Sequence, residues 1–169
     1  MYTLKPFYAF LWALFLFSSS VSAADLDLSG VDDDAEATRK INVWLTDIGY
    51  TAKVSTSGDK LFLDEGDKYA LLPLVTESGI DRIVIYKVFK GKPSNVNAEA
   101  LHAIVRQINA DFNVCTAFVD KGGALQLRFS IIFEDKLSPR LFRNTMQHVK
   151  AGSTAIIKEY REKFRPYFD

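Results

Sequence analysis

Leu125-Gln126-Leu127-Arg128-Phe129-Ser130-Ile131-Ile132-Phe133-Glu134 alternates in character, with Leu125, Leu127, Phe129, Ile131 and Phe133 on one side and Gln126, Arg128 and Ser130 on the other. A period of two is the signature of a strand that buries one face. Lys121-Gly122-Gly123 before it is turn chemistry, and Val114 to Asp120 is a second strand-forming run, so the two make a hairpin. Arg82 to Lys90 reads differently. Ile83, Ile85 and Phe89 fall on one side, and Val84, Tyr86 and Val88 make the other side apolar as well. A strand that is apolar on both sides and rich in β-branched and aromatic residues belongs in the middle of a sheet.

Upstream, short strands are expected over Ala52 to Thr56, Lys60 to Asp64 and Tyr69 to Thr76, separated by the turns Ser57-Gly58-Asp59 and Glu65-Gly66-Asp67. Pro73 lacks a ladder donor, which puts its strand at an edge or ends it early. Three segments change to helical period. Ala37, Ile41, Trp44, Leu45 and Ile48 recur at three and four from Asp34 to a stop at Gly49. Leu101, Ile104, Val105, Ile108 and Phe112 form a second face, with Asn97 as the expected N-cap. Ser138-Pro139 opens a long helix that carries Phe142, Met146, Val149, Ile156, Tyr160 and Phe164 and stops before Pro166. Gly152 inside it costs up to about 1 kcal/mol relative to alanine, so it marks either a bend or a close approach. The expectation is an α+β domain: a mainly antiparallel sheet of about five strands flanked by three helices. If helices cover the Leu125 to Phe133 face, the opposite face with Val84, Tyr86, Val88 and Arg128 needs another cover. Those four residues are the candidate partner-binding or dimer surface.

The chain has 169 residues, with 21 basic and 21 acidic side chains. Lys5 precedes an unbroken apolar run from Phe7 to Phe17, and Ser18-Ser19-Ser20-Val21-Ser22-Ala23 ends in a small-x-small pattern. This is the form of a signal peptide over residues 1–23, cleaved after Ala23; the run is short of the roughly 20 residues of a membrane span. A retained anchor is the alternative. Residues 24–36 read as an acidic leader and 37–169 as one domain, placed in the periplasm or secreted. Near-zero net charge gives no argument for nucleic acid. The acids are nevertheless crowded near the leader, while Arg140, Arg143, Lys150, Lys158, Arg161, Lys163 and Arg165 line the last helix. Solvated faces account for this most simply. Cys115 is the sole cysteine, so no internal disulfide forms.

Few groups carry chemistry. Asp25, Asp27, Ser29, Gly30, Asp33 and Glu36 match the ligand spacing of an EF-hand loop, but no helix enters it and Asp32 stands where an apolar residue belongs, so a flexible leader is expected. Asp64, Glu65 and Asp67 read as turn residues. His102 and His148 lie on helices without a metal or nucleophile motif, and Cys115 sits among apolar neighbours as an inert thiol. A hydrolase using His102 or His148 needs one of them beside Cys115 or a carboxylate. Neither a cofactor nor a metal is expected. The tail Arg161, Lys163, Phe164, Arg165, Tyr167 and Phe168 has the mixture a membrane surface takes, although such aromatics more often fold onto the core.

The strand Arg82 to Lys90, the helix segment Ala100 to Asn109 with Ile108-Asn109, the Asp120 to Leu125 turn and the long last helix together resemble the YbjN-like family of proposed bacterial sensory-transduction regulators. The resemblance runs from about Thr38 to Phe164 and is one of pattern and order. It implies a fold similar to type III secretion chaperones, a protein-binding or adaptor role, often as a dimer, and no catalytic residues. The expected function is therefore an exported, non-enzymatic binding protein, chaperone-like or a regulatory adaptor, acting on a protein or peptide; the alternatives are a peripheral membrane-surface binding protein or a small hydrolase-type enzyme using His102 or His148.

Overall fold

The structure is a computed structural model that describes residues 23–76 and 78–168, so the signal-peptide reading lies outside it apart from Ala23. The elements run β1 (Leu26–Asp27), α1 (Asp34–Asp47), β2 (Ala52–Val54), β3 (Leu61–Asp64), β4 (Lys68–Leu74), β5 (Ile80–Phe89), a 3-10 turn (Pro93–Asn97), α2 (Glu99–Asp111), β6 (Thr116–Val119), β7 (Leu125–Glu134), β8 (Lys136–Leu137) and α3 (Pro139–Phe164). Six strands form one antiparallel sheet in the order β2-β3-β4-β5-β7-β6, and β1 pairs separately with β8. Among the described residues the fold is α+β with three α-helices, one strand more than expected in the main sheet, and β5 lies inside that sheet.

Register decides which residues share a face. Leu61, Leu71, Ile85 and Phe129 stand in one row across four strands, and Leu63, Tyr69, Lys87, Leu127 and Ala117 in another. These rows belong to the inner face, whose apolar members join the buried residues of the helices in one core. The alternation of β7 is realised, with Leu125 to Phe133 buried at every second position. Pro73 is accommodated because β3 pairs with β4 only up to Leu71, so beyond that point β4 is locally an edge.

Phe142 joins α3 to α1. Its buried ring meets Trp44 edge-on at 5.4 Å and Tyr50 at 5.2 Å between centroids. Asp33 caps α1 by accepting from the Ala35 and Glu36 amides, and Ser138 caps α3 by accepting from Leu141. α2 starts one residue later than expected: Asn97 is the last residue of the 3-10 turn, and Ala98 is the cap, without a side-chain hydrogen bond. Gly152 serves close approach, since a Cβ there would stand 3.1 Å from Cγ2 of Val114.

The segment 24–36 is no flexible leader. Leu26, Leu28 and Val31 are buried, Leu26 pairs with Leu137, Leu28 N donates to Asp135 O at 2.7 Å, and Trp44 Nε1 donates to Ala24 O at 2.8 Å. Burying three aliphatic side chains outweighs the solubility of the acids between them, which stay at the surface. The helix-3 cations do not pair with these acids: Asp27 takes Lys136, and Lys150 reaches Glu65.

A knot of close backbone contacts closes one end. Asn95 is buried, and its Nδ2 donates to Gly123 O at 3.1 Å and to Tyr167 O at 3.0 Å. Gly91 pairs with Phe168, and a Cβ on Gly91 would overlap the Gly123 carbonyl. The C-terminal aromatics therefore fold back on the body.

Asp81 is a charge-bearing residue on the inner face, 2% exposed, with one carboxylate oxygen accepting from Thr76 N at 3.2 Å and the other without a partner. Burial, with Asp135 nearby, pushes its carboxyl above 3.8. The folded state then binds more protons than the unfolded one, so this residue's contribution falls as pH rises through that window and stays unfavourable at neutral pH. Asp81→Asn, which keeps the acceptor for Thr76, is expected to be more stable than the parent at neutral pH, the difference shrinking as pH falls toward 3.8. Urea unfolding at several pH values checks this; a difference that widens on acidification would contradict it.

Candidate partner-binding face of the sheet

The outer face follows from the same register. Lys53, Phe62, Ala70, Tyr86, Arg128 and Thr116 form one row, and Leu72, Val84 and Ser130 another. Val88, Gln126 and Phe118 follow, and Leu74, Arg82 and Ile132 flank the other side. Val84, Tyr86, Val88 and Arg128 thus share this face, with Tyr86 directly opposite Arg128.

The face is apolar at its middle and open. Phe62 is 50% exposed, Val88 43% and Ile132 57%. Val84 is 4% exposed, yet it lies outside the core cluster and lines a cavity with Tyr86, Arg128 and Val114. Solvent-facing sheet surfaces are ordinarily polar, so the apolar stretch of Phe62, Ala70 and Tyr86 across three strands, with Leu72, Val84 and Val88 beside it, is the feature to explain.

Two shallow cavities share Tyr86. One, of about 340 Å³, is bounded by Phe62, Leu72, Tyr86 and Val88 with Lys60 and Gln126 at its rim. The other, of about 300 Å³, lies where β6 stops short of β7, and Arg82, Arg128, Thr116 and Ser130 line it. No acidic residue lines either one. Among the described residues Arg82 and Arg128 have no acidic partner; Arg128 instead lies over the Phe118 ring at 5.8 Å. Sheet geometry therefore sets an apolar strip beside uncompensated guanidinium groups, which suits an extended segment with both apolar and acidic side chains.

The groups weighed for chemistry are placed otherwise. His102 Nε2 lies 2.8 Å from the Val96 carbonyl oxygen and ties α2 to the turn before it, while His148 is exposed on α3. Cys115 borders the second cavity, and burial raises its thiol to about 11, which keeps it protonated at neutral pH. Among the described residues no three His, Cys, Asp or Glu side chains cluster to hold a metal. The EF-hand-like positions are occupied structurally: Asp27 accepts from Ser29 N, which with Lys136 holds its carboxyl down to about 2, Asp33 caps α1, and Glu36 meets Lys40. No helix of the described residues is long and apolar enough to cross a membrane.

The sequence reading places Arg128 on this face but misses Arg82, although strand alternation puts it on the same side as Tyr86; that the two arginines line one cavity follows from the pairing of Tyr86 with Arg128, which the sequence alone does not display. No family model and no curated protein matches the chain. Among solved structures it is similar to the crystal structure of YbjN from E. coli, described as a candidate transcription regulator. The match has a TM-score of 0.54 and 18% identity, and covers 74% of this chain and 91% of that one, a likeness of fold.

Proposed function

We propose that this protein is a non-enzymatic adaptor or regulatory protein that captures a protein or peptide segment on the outer face of its sheet, in the manner of a chaperone. The observation that carries the reading is the open apolar patch of Phe62, Tyr86 and Val88, flanked by Arg82 and Arg128. The YbjN-like fold supports a regulatory role, and the type III chaperone likeness belongs to the same proposal. Action after export rests on the Lys5, Phe7 to Phe17 and Ala23 pattern.

The test is native mass spectrometry of the full chain expressed in a Gram-negative host and purified from periplasm. A mass starting at Ala24 with a bound peptide, protein or second copy is expected. Tyr86→Glu with Val88→Glu should lose that partner, because the first substitution engages Arg128 across the strands and both set negative charge against the apolar and acidic side chains of the bound segment. Leu141→Glu, on an exposed apolar residue of α3, should retain it. Retention by the outer-face variant would move the site elsewhere on the molecule, and a mass that includes residues 1–23 would overturn cleavage after Ala23 in favour of a retained anchor.

A further inference from the structure

Lys87 breaks the pattern of the central strand. It stands on the inner face of β5 between Ile85 and Phe89, in a row with Leu63, Tyr69 and Leu127, and its side chain is only 12% exposed. Its ammonium group pairs with Asp67 and lies 5.0 Å from the Tyr69 ring centroid and 6.0 Å from that of Phe89. A cation at a core-facing position is costly and calls for an explanation beyond packing.

The explanation lies under the C-terminal half of α3, where the helix leaves the sheet incompletely covered. Two cavities of about 490 and 500 Å³ adjoin there, sharing Phe89, Ile157 and Arg161. Leu125, Phe164 and Phe168 extend the apolar wall of the first, and Lys87, Ser153 and Lys158 line the second. Both volumes fall in the range of small-molecule sites; the first has an apolar wall with charged groups at one side, and the second is lined mainly by polar and charged side chains around Phe89 and Ile157.

Charge specifies the ligand further. Asp67 is held by Lys87, and Glu162 lies 3.7 Å from Arg165. Among the described residues Lys158 and Arg161 have no acidic partner, so the rim carries a surplus of positive charge beside an apolar wall. We propose that this groove is a binding site for an amphiphilic anion of the fatty-carboxylate class. The apolar chain lies against Phe89, Ile157, Phe164 and Phe168, and the head group meets Arg161 and Lys158 with Lys87 behind them. The site is separate from the outer face and does not depend on what binds there.

Isothermal titration calorimetry of the purified protein with laurate, below its micelle concentration, tests the proposal, with dodecyltrimethylammonium as the charge control. Laurate is expected to bind with one-to-one stoichiometry, and Lys158→Ala with Arg161→Ala to weaken it by about tenfold or more, since both head-group cations are then gone. Both side chains sit on the exposed side of α3, so this variant should keep the fold. Ile157→Trp should block the groove, and Leu141→Ser, at an exposed residue in the first turn of α3, should leave binding unchanged. Absence of laurate binding, equal binding of the cationic control, or loss through Leu141→Ser would each overturn the assignment.

Discussion

Phe142→Ala is expected to lower the free energy of unfolding by about 3–5 kcal/mol, as truncation of a fully buried aromatic does. The ring lies wholly inside, where α3 meets α1, and it is the shared partner of Trp44 and Tyr50. Its removal leaves a cavity under both rings and loses two edge-to-face contacts. Trp44 also holds the Ala24 carbonyl, so loosening it weakens the anchor of the N-terminal segment. Against a total stability of about 5–15 kcal/mol for a domain, such a loss approaches unfolding. Urea denaturation followed by far-ultraviolet circular dichroism measures it. A loss under about 1 kcal/mol would show that the α1–α3 contact collapses without cost and that the core is held elsewhere.

The second large effect belongs to the knot around Asn95. Gly123→Ala is expected to destabilise the protein by several kcal/mol, because Gly123 has φ of 84° and a Cβ there would overlap the Lys92 carbonyl, a backbone atom with no room to yield. Gly122→Ala is the internal control. That glycine has negative φ, and the nearest atom to its Cβ is a carboxylate oxygen of Asp120 at 3.3 Å, so its replacement should be mild. Asn95→Ala should also be severe. It leaves the carbonyls of Gly123 and Tyr167 without their donor, at about 1–3 kcal/mol for each buried group stranded. Equal denaturation midpoints for Gly123→Ala and Gly122→Ala would refute the close approach.

Much of this was legible where a period had room to declare itself. The alternation of Leu125 to Phe133, the two apolar sides of Val84 and Ile85, and the Ser138-Pro139 start of α3 each repeat a physical rule over enough residues to be read. The N-terminal segment failed that test for want of length. Asp25, Leu26, Asp27 and Leu28 do alternate, but two-residue strands give too few repeats, and the acid count pointed toward solvent. Asn97 lost its capping role to a 3-10 turn, a choice made by tertiary geometry rather than by local preference. The outer face was readable as a strand surface left without a helix, whereas its arginine corner depends on β6 being shorter than β7. The groove under α3 had no sequence signal except Lys87 among core-facing neighbours.

The ladder between Leu26 and Leu137 also sets the order in which the molecule can finish folding. Its two strands lie near opposite ends of the chain, and Leu28 needs the carbonyl of Asp135 as well. Contacts so distant in sequence form late, after the cost of closing the long loop between them has been met. Until the ribosome has delivered Leu137, Leu26 and Leu28 have nothing to pair with, and the final helix that carries Phe142 is still to come. The pairing of the N-terminal segment thus waits for β8, and its closing is a late event of folding rather than an early one.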